Sequence, residues 1–320
     1  MHRTILAALA ALAFAVPARA QDFPSRDIRF ICGFAAGGTC DLLSRMLADQ
    51  LAPIFGQKVI VENRTGASGM ISADVVAKSG SDGHTVYLAT MALHTILPEM
   101  PGVRMPFDIE RDVTPIANVA NVYNILIASP QAPFRGISEL IAYGRANPGK
   151  LTYASAGNGT SQHLSGELFK KMAGIEMLHV SYRGGAPALV DIAAGRTDMM
   201  FGNMPEFLGQ IRGGGVRAIA FGAPSVSPLF PDLPLISRDL PGFTIRNWFG
   251  VAGGPNLPPA VLKRWNDAIR QVAAQPDFQR RMTENGMEII VGSPEEFRAT
   301  IVADRKLWGD VIREASIKAD

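Results

Sequence analysis

The chain has 320 residues, of which 47% are hydrophobic and 19% charged, the composition of a globular protein with a sizeable core. Its 31 basic and 29 acidic residues nearly cancel, and they balance at 29 each once Arg3 and Arg19 are set aside with the N-terminal segment. This balance argues against a basic face for nucleic acid, so no nucleic-acid partner is expected.

Residues 1–20 have the pattern of a secretory signal peptide. A short basic start leads into an apolar run over residues 5–16, which is too short to span a bilayer, and Ala18-Arg19-Ala20 forms an A-x-A cleavage site. The residue that follows is Gln21 and not Cys, so no lipid anchor is expected there. The alternative is a buried N-terminal helix, but the pattern favours export from the cytoplasm, with a mature chain that begins at Gln21. The remaining 300 residues are enough for two domains and contain no apolar run of membrane-spanning length.

Apolar runs alternate with amphipathic patterns along the mature chain, which predicts an α/β protein with largely parallel sheets. The predicted strands cover residues 28–34, 58–62, 85–90, 122–129, 151–155, 177–181, 216–221, 243–251 and 288–291. The predicted helices cover residues 41–55, a stretch ending at 77, 138–147, 161–172, 186–194, 258–274, 276–286 and 294–316. Residues 223–242 are rich in Pro and Ser and are predicted to form a connecting loop.

Two glycine-containing turns, at residues 34–41 and 155–161, share one design. Each links a strand to a helix and places hydroxyl side chains and free N–H groups at the helix start, where anions are attracted. Either turn alone is more typical of an ordinary α/β connector. Together, in an exported protein, they favour a site that holds a carboxylate.

Motifs for nucleotides and for common catalytic centres are missing. Gly157-Asn-Gly159 does not continue into G-x-G-x-x-G, and the chain has no P-loop, no G-x-S-x-G elbow and no H-E-x-x-H. His163 and Glu167 stand at i, i+4 and could share a metal ion, but a third ligand is not evident. We therefore expect no metal, no cofactor and no catalytic residues, and we interpret Asp41 as a helix-start carboxylate and not a general base.

The two cysteines and two of the arginines leave alternatives open. Cys32 and Cys40 could form a disulfide, but a strand residue and a helix-start residue are expected to have Cα atoms beyond the bridging limit of about 7 Å, which favours free thiols. Arg64 and Arg183 each follow a strand and could bind a ligand carboxylate; a structural salt bridge or a solvated side chain is the favoured alternative.

The chain resembles the extracytoplasmic receptors of tripartite tricarboxylate transporters, also called the Bug family, over essentially the whole mature sequence. The resemblance is carried by residues 34–41, 61–66, 106–108, 111–116, 147–161, 163–169, 182–188, 248–250 and 315–320. Two segments depart from the family pattern. In the first turn, Ala35 and Ala36 stand where the family commonly has prolines, and further along the chain Thr65 stands where the family usually has proline. These departures leave the ligand open, since the first turn lines the cleft.

The resemblance implies a periplasmic-binding-protein fold of type II, with two α/β domains, two crossover strands and a ligand cleft between the domains. The expected domains are residues 21–121 with 246–320, and residues 122–245, and they are expected to close about strands near 119–125 and 243–250. The implied function is capture of a small carboxylated metabolite by a monomeric receptor, which delivers it to the large and small membrane subunits of a tripartite transporter. A ligand sensor for a signalling partner is the alternative, and a secreted hydrolase is a third class that lacks an activated nucleophile.

The predicted ligand-binding residues come from both turns, from the end of the third strand and from the segment after the strand at 177–181. They are Phe34, Gly37, Gly38, Thr39, Asp41, Thr90, His94, Ser155, Asn158, Gly159, Thr160, His163, Tyr182, Arg183 and Gly184.

Overall fold

The structure is a computed structural model that describes residues 23–318. The predicted signal peptide at residues 1–20 lies outside the described residues. Within the described range, every helix is too short or too polar to cross a bilayer.

The described chain alternates strands and helices, as the apolar patterns predict. The strands are β1 (Ile28–Cys32), β2 (Val59–Asn63), β3 (Thr85–Thr90), β4 (Thr114–Ala128), β5 (Leu151–Ser155), β6 (Met177–Ser181), β7 (Met199–Asn203), β8 (Arg217–Phe221), β9 (Arg246–Gly253) and β10 (Glu288–Ile289). The helices of eight residues or more are α1 (Thr39–Phe55), α2 (Met70–Ala77), α3 (Ile137–Ala146), α4 (Ser161–Ala173), α5 (Gly185–Ala193), α6 (Met204–Arg212), α7 (Pro259–Ala273), α8 (Pro276–Glu284) and α9 (Pro294–Ala315). Shorter helical turns lie at Ala67–Gly69, Ala92–Ile96, Leu97–Glu99 and Ile236–Arg238.

The sheet is mixed, so the prediction of largely parallel sheets is wrong. Its main path runs β2-β1-β3-β9-β4-β7-β5-β6, with β8 and β10 added on β4. Parallel pairs occur at the two ends, where β1 pairs with β2 and β3, and β5 pairs with β6 and β7. The centre is antiparallel, because β9 runs against β3 and β4, and β4 runs against β7 and β8.

Strand β4 joins the two parallel regions within one continuous strand. Its residues 114–123 pair with β9, and its residues 124–128 pair with β7 and β8. We call β1, β2, β3, β9, β10 and the first part of β4, with their helices, the first half; the second half is β5 to β8 with the rest of β4. The strand begins at Thr114, eight residues before the predicted start. The sequence did not indicate this first part because Pro115, Asn118 and Asn121 interrupt its apolar pattern, although all three residues are buried.

The strand–helix pair β7–α6 was not predicted from the sequence. Its strand, Met-Met-Phe-Gly-Asn, is fully buried, and its short helix has Pro205 in the first turn, where proline is compatible with a helix. Like β1, β5 and β6, strand β7 leads at its carboxyl end directly toward a helix start, and in open α/β sheets ligands bind at that end of the strands.

Apolar side chains fill the space between the sheet and its helices. One buried cluster lies in the first half, around Leu43, Leu47 and Trp265, and another lies in the second half, around Phe207 and Ile192. The largest cluster runs through both halves and includes Phe169, Phe201 and Trp248. This packing fixes the helix starts that surround the candidate site.

Candidate functional site

A small inner cavity lies between the two halves and is bordered by the starts of four helices. Those starts contribute Thr39 and Cys40 of α1, Ser161 and Gln162 of α4, Gly185 of α5 and Glu206 of α6. The remaining lining residues are Phe34, Gly38, Thr90, Ala92, Ala156, Thr160, Asn203, Asn247 and Phe249. Because the first N–H groups of a helix lack partners within it and carry a partial positive charge, this arrangement favours a negatively charged occupant.

The inner cavity is almost filled by the protein itself. The space that it leaves for the centres of water molecules is about 30 Å³. One water needs roughly 10–15 Å³ by this measure, so the cavity holds a few waters and no organic acid. In this structure the two halves thus leave no room for an organic acid between them.

The first turn, residues 34–41, is tied to the end of β1 by a disulfide between Cys32 and Cys40. Their Cα atoms are 6.0 Å apart, so the prediction of free thiols separated by more than about 7 Å is wrong. The turn folds back on itself, with the amide of Gly38 donating to the carbonyl of Ala35 over 3.4 Å, and this brings the helix start toward the end of β1.

Asp41 holds the first turn from behind the cavity. Its carboxylate accepts hydrogen bonds from the Gly37 amide (3.1 Å), the Asn63 amide group (3.0 Å) and the Arg45 guanidinium (3.1 Å). Burial opposes ionisation, but the hydrogen bonds from Arg45, Gly37 and Asn63 together lower the pKa of Asp41. With these partners, Asp41 orients the turn and does not line the inner cavity.

The second turn, residues 155–161, is held by the side chains of Thr160, Gln162 and His163. Thr160 caps the helix by accepting from the His163 amide over 3.3 Å, and the Gln162 side-chain oxygen accepts from the Ala156 amide. His163 is fully buried and its Nδ1 accepts from the Gly159 amide over 3.2 Å. Ser155 is also fully buried and its hydroxyl lies 2.7 Å from His179 Nε2. These groups shape the turn, and Thr160 and Gln162 face the cavity.

Glu206 is the one residue with an ionisable side chain among those that line the inner cavity in the described structure, since Cys40 is in the disulfide. Its Oε1 accepts from the Thr39 hydroxyl (3.0 Å), the Thr39 amide (3.3 Å) and the Asn203 amide group (3.4 Å). Its Oε2 accepts from the Gln162 amide group over 3.2 Å. Burial raises the pKa of Glu206, against the opposing effect of these hydrogen bonds.

Two hydrogen bonds join the two halves at the cavity edge. The Ala35 amide of the first turn donates to the Arg183 carbonyl over 3.2 Å, and the Ser68 hydroxyl donates to the Asn158 carbonyl over 2.6 Å. Gly184 allows this approach, because a Cβ atom at its position would lie 3.0 Å from the Ala35 nitrogen. At this edge the two halves are thus joined by hydrogen bonds as well as by packing.

An outer cavity of about 480 Å³ adjoins the inner one and shares Phe34 and Ala156 with it. Residues of both halves line it, and those from the second half include Asn158, Tyr182 and Arg183. The Tyr182 hydroxyl donates to Asp191 over 2.7 Å, and burial together with that bond raises the pKa of Tyr182 to about 12. The two cavities thus meet at Phe34 and Ala156.

Thr90 and His94 have different surroundings. Thr90 lines the inner cavity, whereas His94 is buried with its Nε2 2.6 Å from the Tyr87 hydroxyl. Burial lowers the pKa of His94 to about 3, so the ring is neutral at physiological pH. It is packed among aromatic rings, including that of Trp248.

The structure therefore brings only part of the predicted site together. Five predicted residues line the inner cavity: Phe34, Gly38, Thr39, Thr90 and Thr160. The outer cavity is lined by Asn158, Tyr182, Arg183 and again Phe34. The remaining predicted residues border neither of the two cavities and support the turns and walls around them: Gly37, Asp41, His94, Ser155, Gly159, His163 and Gly184.

Sequence reasoning missed several lining residues, above all Glu206, Asn203 and Gln162. Gln162 directly follows the second turn, and its place in the first turn of the predicted helix was an available signal. Glu206 and Asn203 belong to the unpredicted pair β7–α6, and Asn203-Met-Pro-Glu206 has the Asn and the first-turn Pro of a helix start.

Glu167 and Arg64, two residues for which alternatives were open, both have partners within the protein. Glu167 accepts from the Tyr153 hydroxyl over 2.6 Å and from Lys170, and no group of three or more metal-ligating side chains occurs within residues 23–318. Arg64 pairs with Glu62 at 2.9 Å, as the salt-bridge interpretation expected.

Residues 43–317 match the sequence profile of TctC, described as the tripartite tricarboxylate transporter family receptor. The chain belongs to this family. Its members are periplasmic binding proteins that act as receptors and not as enzymes, which agrees with the absence of catalytic motifs.

Similar proteins cover nearly the whole chain. Protein BugT of Bordetella pertussis is 31% identical over 97% of this chain and 95% of its own. The R. palustris protein Rpa4515, solved with adipate, is 31% identical with a TM-score of 0.90, over 93% of this chain and all of that one. MatC of Rhodopseudomonas palustris, solved with malate, is 27% identical with a TM-score of 0.86, over 91% of this chain and all of that one. The fold is therefore that of the periplasmic binding proteins, as predicted.

Proposed function

We propose that this protein is a periplasmic receptor that captures a small carboxylated metabolite in the inner cavity and delivers it to a tripartite membrane transporter. The observation that carries the proposal is the convergence of four helix starts on one cavity between the two halves of a receptor-family chain. Such starts hold a carboxylate through main-chain N–H groups without a buried cation. Adipate and malate in the solved relatives belong to the same chemical class.

The proposed ligand-binding residues are the cavity-lining members of the predicted set together with Gln162, Asn203 and Glu206. The first and second turns supply Thr39 and Thr160 from opposite sides. Export through the predicted signal peptide and release of the mature chain at Gln21 are part of this proposal.

We propose further that the protein opens and closes as two domains, residues 21–121 with 246–320, and residues 122–245. The hinge would be β4 and β9, because β4 passes between the halves and pairs with β9 just before it does so. Opening is required for ligand entry, because the inner cavity of about 30 Å³ cannot admit an organic acid in the closed form. Small-angle scattering with and without ligand tests this, and an unchanged radius of gyration at saturation contradicts it.

A thermal-shift screen tests ligand capture directly. The protein from Gln21 onward is unfolded and refolded to remove carried-over ligand, then tested with mono-, di- and tricarboxylates, amino acids and aromatic acids. A ligand at 100 times its Kd stabilises the native state by about 2.7 kcal/mol, a shift of roughly 5–11 °C at about 2–4 °C per kcal/mol. No shift with any carboxylate would contradict the proposal.

Delivery is tested separately from binding. A strain that lacks this receptor should lose uptake of the radiolabelled ligand found in the screen, and the Thr39→Ala variant should restore it less well than the wild type. Unchanged uptake with loss of a transcriptional response to the ligand would instead assign the protein to sensing.

A further inference from the structure

We propose that Glu206 sets the ligand class of this receptor: it selects carboxylates whose second polar group is a hydrogen-bond donor, an ammonium or a primary amide, over those with a second carboxylate. The inference rests on the proposed function, because it assumes that a carboxylate ligand occupies the inner cavity. Two relatives were solved with the dicarboxylates adipate and malate, so the inference assigns this receptor a different ligand class from theirs.

The charge of the inner cavity is the first argument. Among the lining residues that the structure describes, Glu206 is the one ionisable side chain, and no Lys, Arg or His side chain joins it. Its negative charge is balanced by neutral donors and by the helix starts around it. A monocarboxylate can share those helix starts as the second negative charge, but the other carboxylate of a dicarboxylate would be a third, with no cation in the cavity to pair it.

The hydrogen-bond capacity of the carboxylate is the second argument. Oε1 receives three donors, two from Thr39 and one from Asn203, whereas Oε2 receives one, from Gln162. An ionised carboxylate has about four acceptor positions and no donor, so the oxygen with room for another partner can only accept. A ligand group that meets Oε2 must therefore donate.

Space around Oε2 is the third argument. Gly185 stands beside this oxygen, and a Cβ atom at its position would lie 1.9 Å from Oε2. Any larger residue at position 185 would displace the carboxylate, so the glycine keeps Oε2 at the cavity. Glu206 also bridges the halves, since Thr39 belongs to the first and Gln162 to the second, and it stays in the cavity when the protein is closed.

Burial raises the pKa of Glu206, which has a consequence for the two ligand classes. A donor ligand stabilises the ionised carboxylate, as an opposite charge or hydrogen bond does. A dicarboxylate binds only after Glu206 has taken up a proton. The raised pKa makes that protonation easier, so the discrimination against dicarboxylates should weaken as the pH falls.

The test compares ligands of equal length that differ in one end group. Isothermal titration at pH 7 is carried out with glutarate, its half-amide glutaramate and 4-aminobutyrate, and with the corresponding succinate and adipate series. We expect the amide or the amine to bind at least about tenfold more tightly than the diacid in the series that fits, since one charge-assisted hydrogen bond is exchanged for a like-charge contact.

The variant Glu206→Gln keeps the shape of the side chain and removes its charge. It should lose this preference or reverse it, and Glu62→Gln, which removes a carboxylate away from both cavities, should keep the wild-type ratio. A wild-type preference for the diacid, or an unchanged ratio in Glu206→Gln, overturns the inference and leaves the receptor function standing. Absence of binding in all three series and in the wider carboxylate screen overturns both. The wild-type ratio decides by itself if the variant does not fold.

Discussion

The hydroxyl of Ser68 donates a 2.6 Å hydrogen bond to the main-chain carbonyl of Asn158, ninety residues away and in the other half of the molecule. Ser68 reaches this position from a left-handed stretch in which Gly66, Ala67, Ser68 and Gly69 all have positive φ. The two residues belong to elements on opposite sides of the cavity, so the proposed opening of the two halves would break this contact.

Substitution of Ser68 by Ala should weaken ligand binding without unfolding the protein. The lost hydrogen bond contributes about 1 kcal/mol to the closed form, which corresponds to roughly a fivefold higher Kd in titration calorimetry. Ser79→Ala is the matched control, because the Ser79 hydroxyl bonds the Val76 carbonyl within its own half over 2.7 Å. Equal Kd values in the two variants would contradict a role for Ser68 in closure.

Substitution of Ala67 by Gly should stabilise the protein. Ala67 has φ of +46°, a region that costs an L-residue roughly 1–2 kcal/mol and a glycine almost nothing. The larger backbone freedom of glycine in the unfolded chain offsets part of this, so we expect a gain of about 0.5–1 kcal/mol in chemical unfolding. The control is Ala299→Gly, at an exposed helical position in α9, which should lower the free energy of unfolding by about 1 kcal/mol. A lower free energy of unfolding in both variants would show that the left-handed stretch is not strained.

Reduction of the Cys32–Cys40 disulfide should lower the free energy of unfolding by about 2–3 kcal/mol, the loop-closure effect for its separation of eight residues. Ligand affinity should fall as well, since the bridged turn carries Gly38 and Thr39 into the inner cavity. Thermal unfolding and titration with and without a reductant measure both effects. A double variant with Ser at both positions should be insensitive to the reductant, and a wild type that is equally insensitive contradicts the prediction.

The ion pair of Glu62 should make stability depend on pH in the acid range. Hydrogen bonds from Arg29 and, less strongly, Arg64 lower the pKa of Glu62 from 4.5 to about 2. Because the pKa is lower in the folded state, this stabilisation is present above about pH 4.5 and is lost as the pH falls toward 2. Arg64 is more than half exposed, so solvent screening limits the contribution to about 1 kcal/mol.

Urea unfolding of Glu62→Gln checks this dependence. The variant should be less stable than the wild type by about 1 kcal/mol at pH 7 and nearly equal to it at pH 2.5. Glu284→Gln, which breaks a pair that is exposed on both sides, should differ from the wild type by less than about 0.5 kcal/mol at either pH. A difference for Glu62→Gln that is constant across this range would contradict the assignment.

The parallel ends of the sheet were accessible to sequence reasoning because their strands are short apolar runs followed by turns and amphipathic helices. The antiparallel centre was less accessible: the first part of β4 contains Pro115 and Asn118, and its polar residues are buried by pairing with β9, which only the tertiary structure brings there. Pairing of distant strands thus overrode the local pattern.

The candidate site was predictable in outline and not in its chemistry. The two glycine turns and Thr39 and Thr160 follow from the strand–turn–helix pattern. Glu206 does not, because its helix has nine residues and the strand before it gives no alternating signal. The disulfide was not expected because a strand residue and a helix-start residue usually lie far apart. The fold-back of the first turn brings the Cα atoms of Cys32 and Cys40 to 6.0 Å.

The four helix starts around the inner cavity divide recognition between main chain and side chains. Main-chain N–H groups are the same whatever residues follow them, so the anchor for one carboxylate survives substitution of nearly every side chain around it. The proposed filter for the other end of the ligand rests on a few side chains, with Glu206 and Asn203 on one helix start and Gln162 on another. A receptor built in this way can acquire a new ligand through one or two replacements while its fold and its closing motion stay the same.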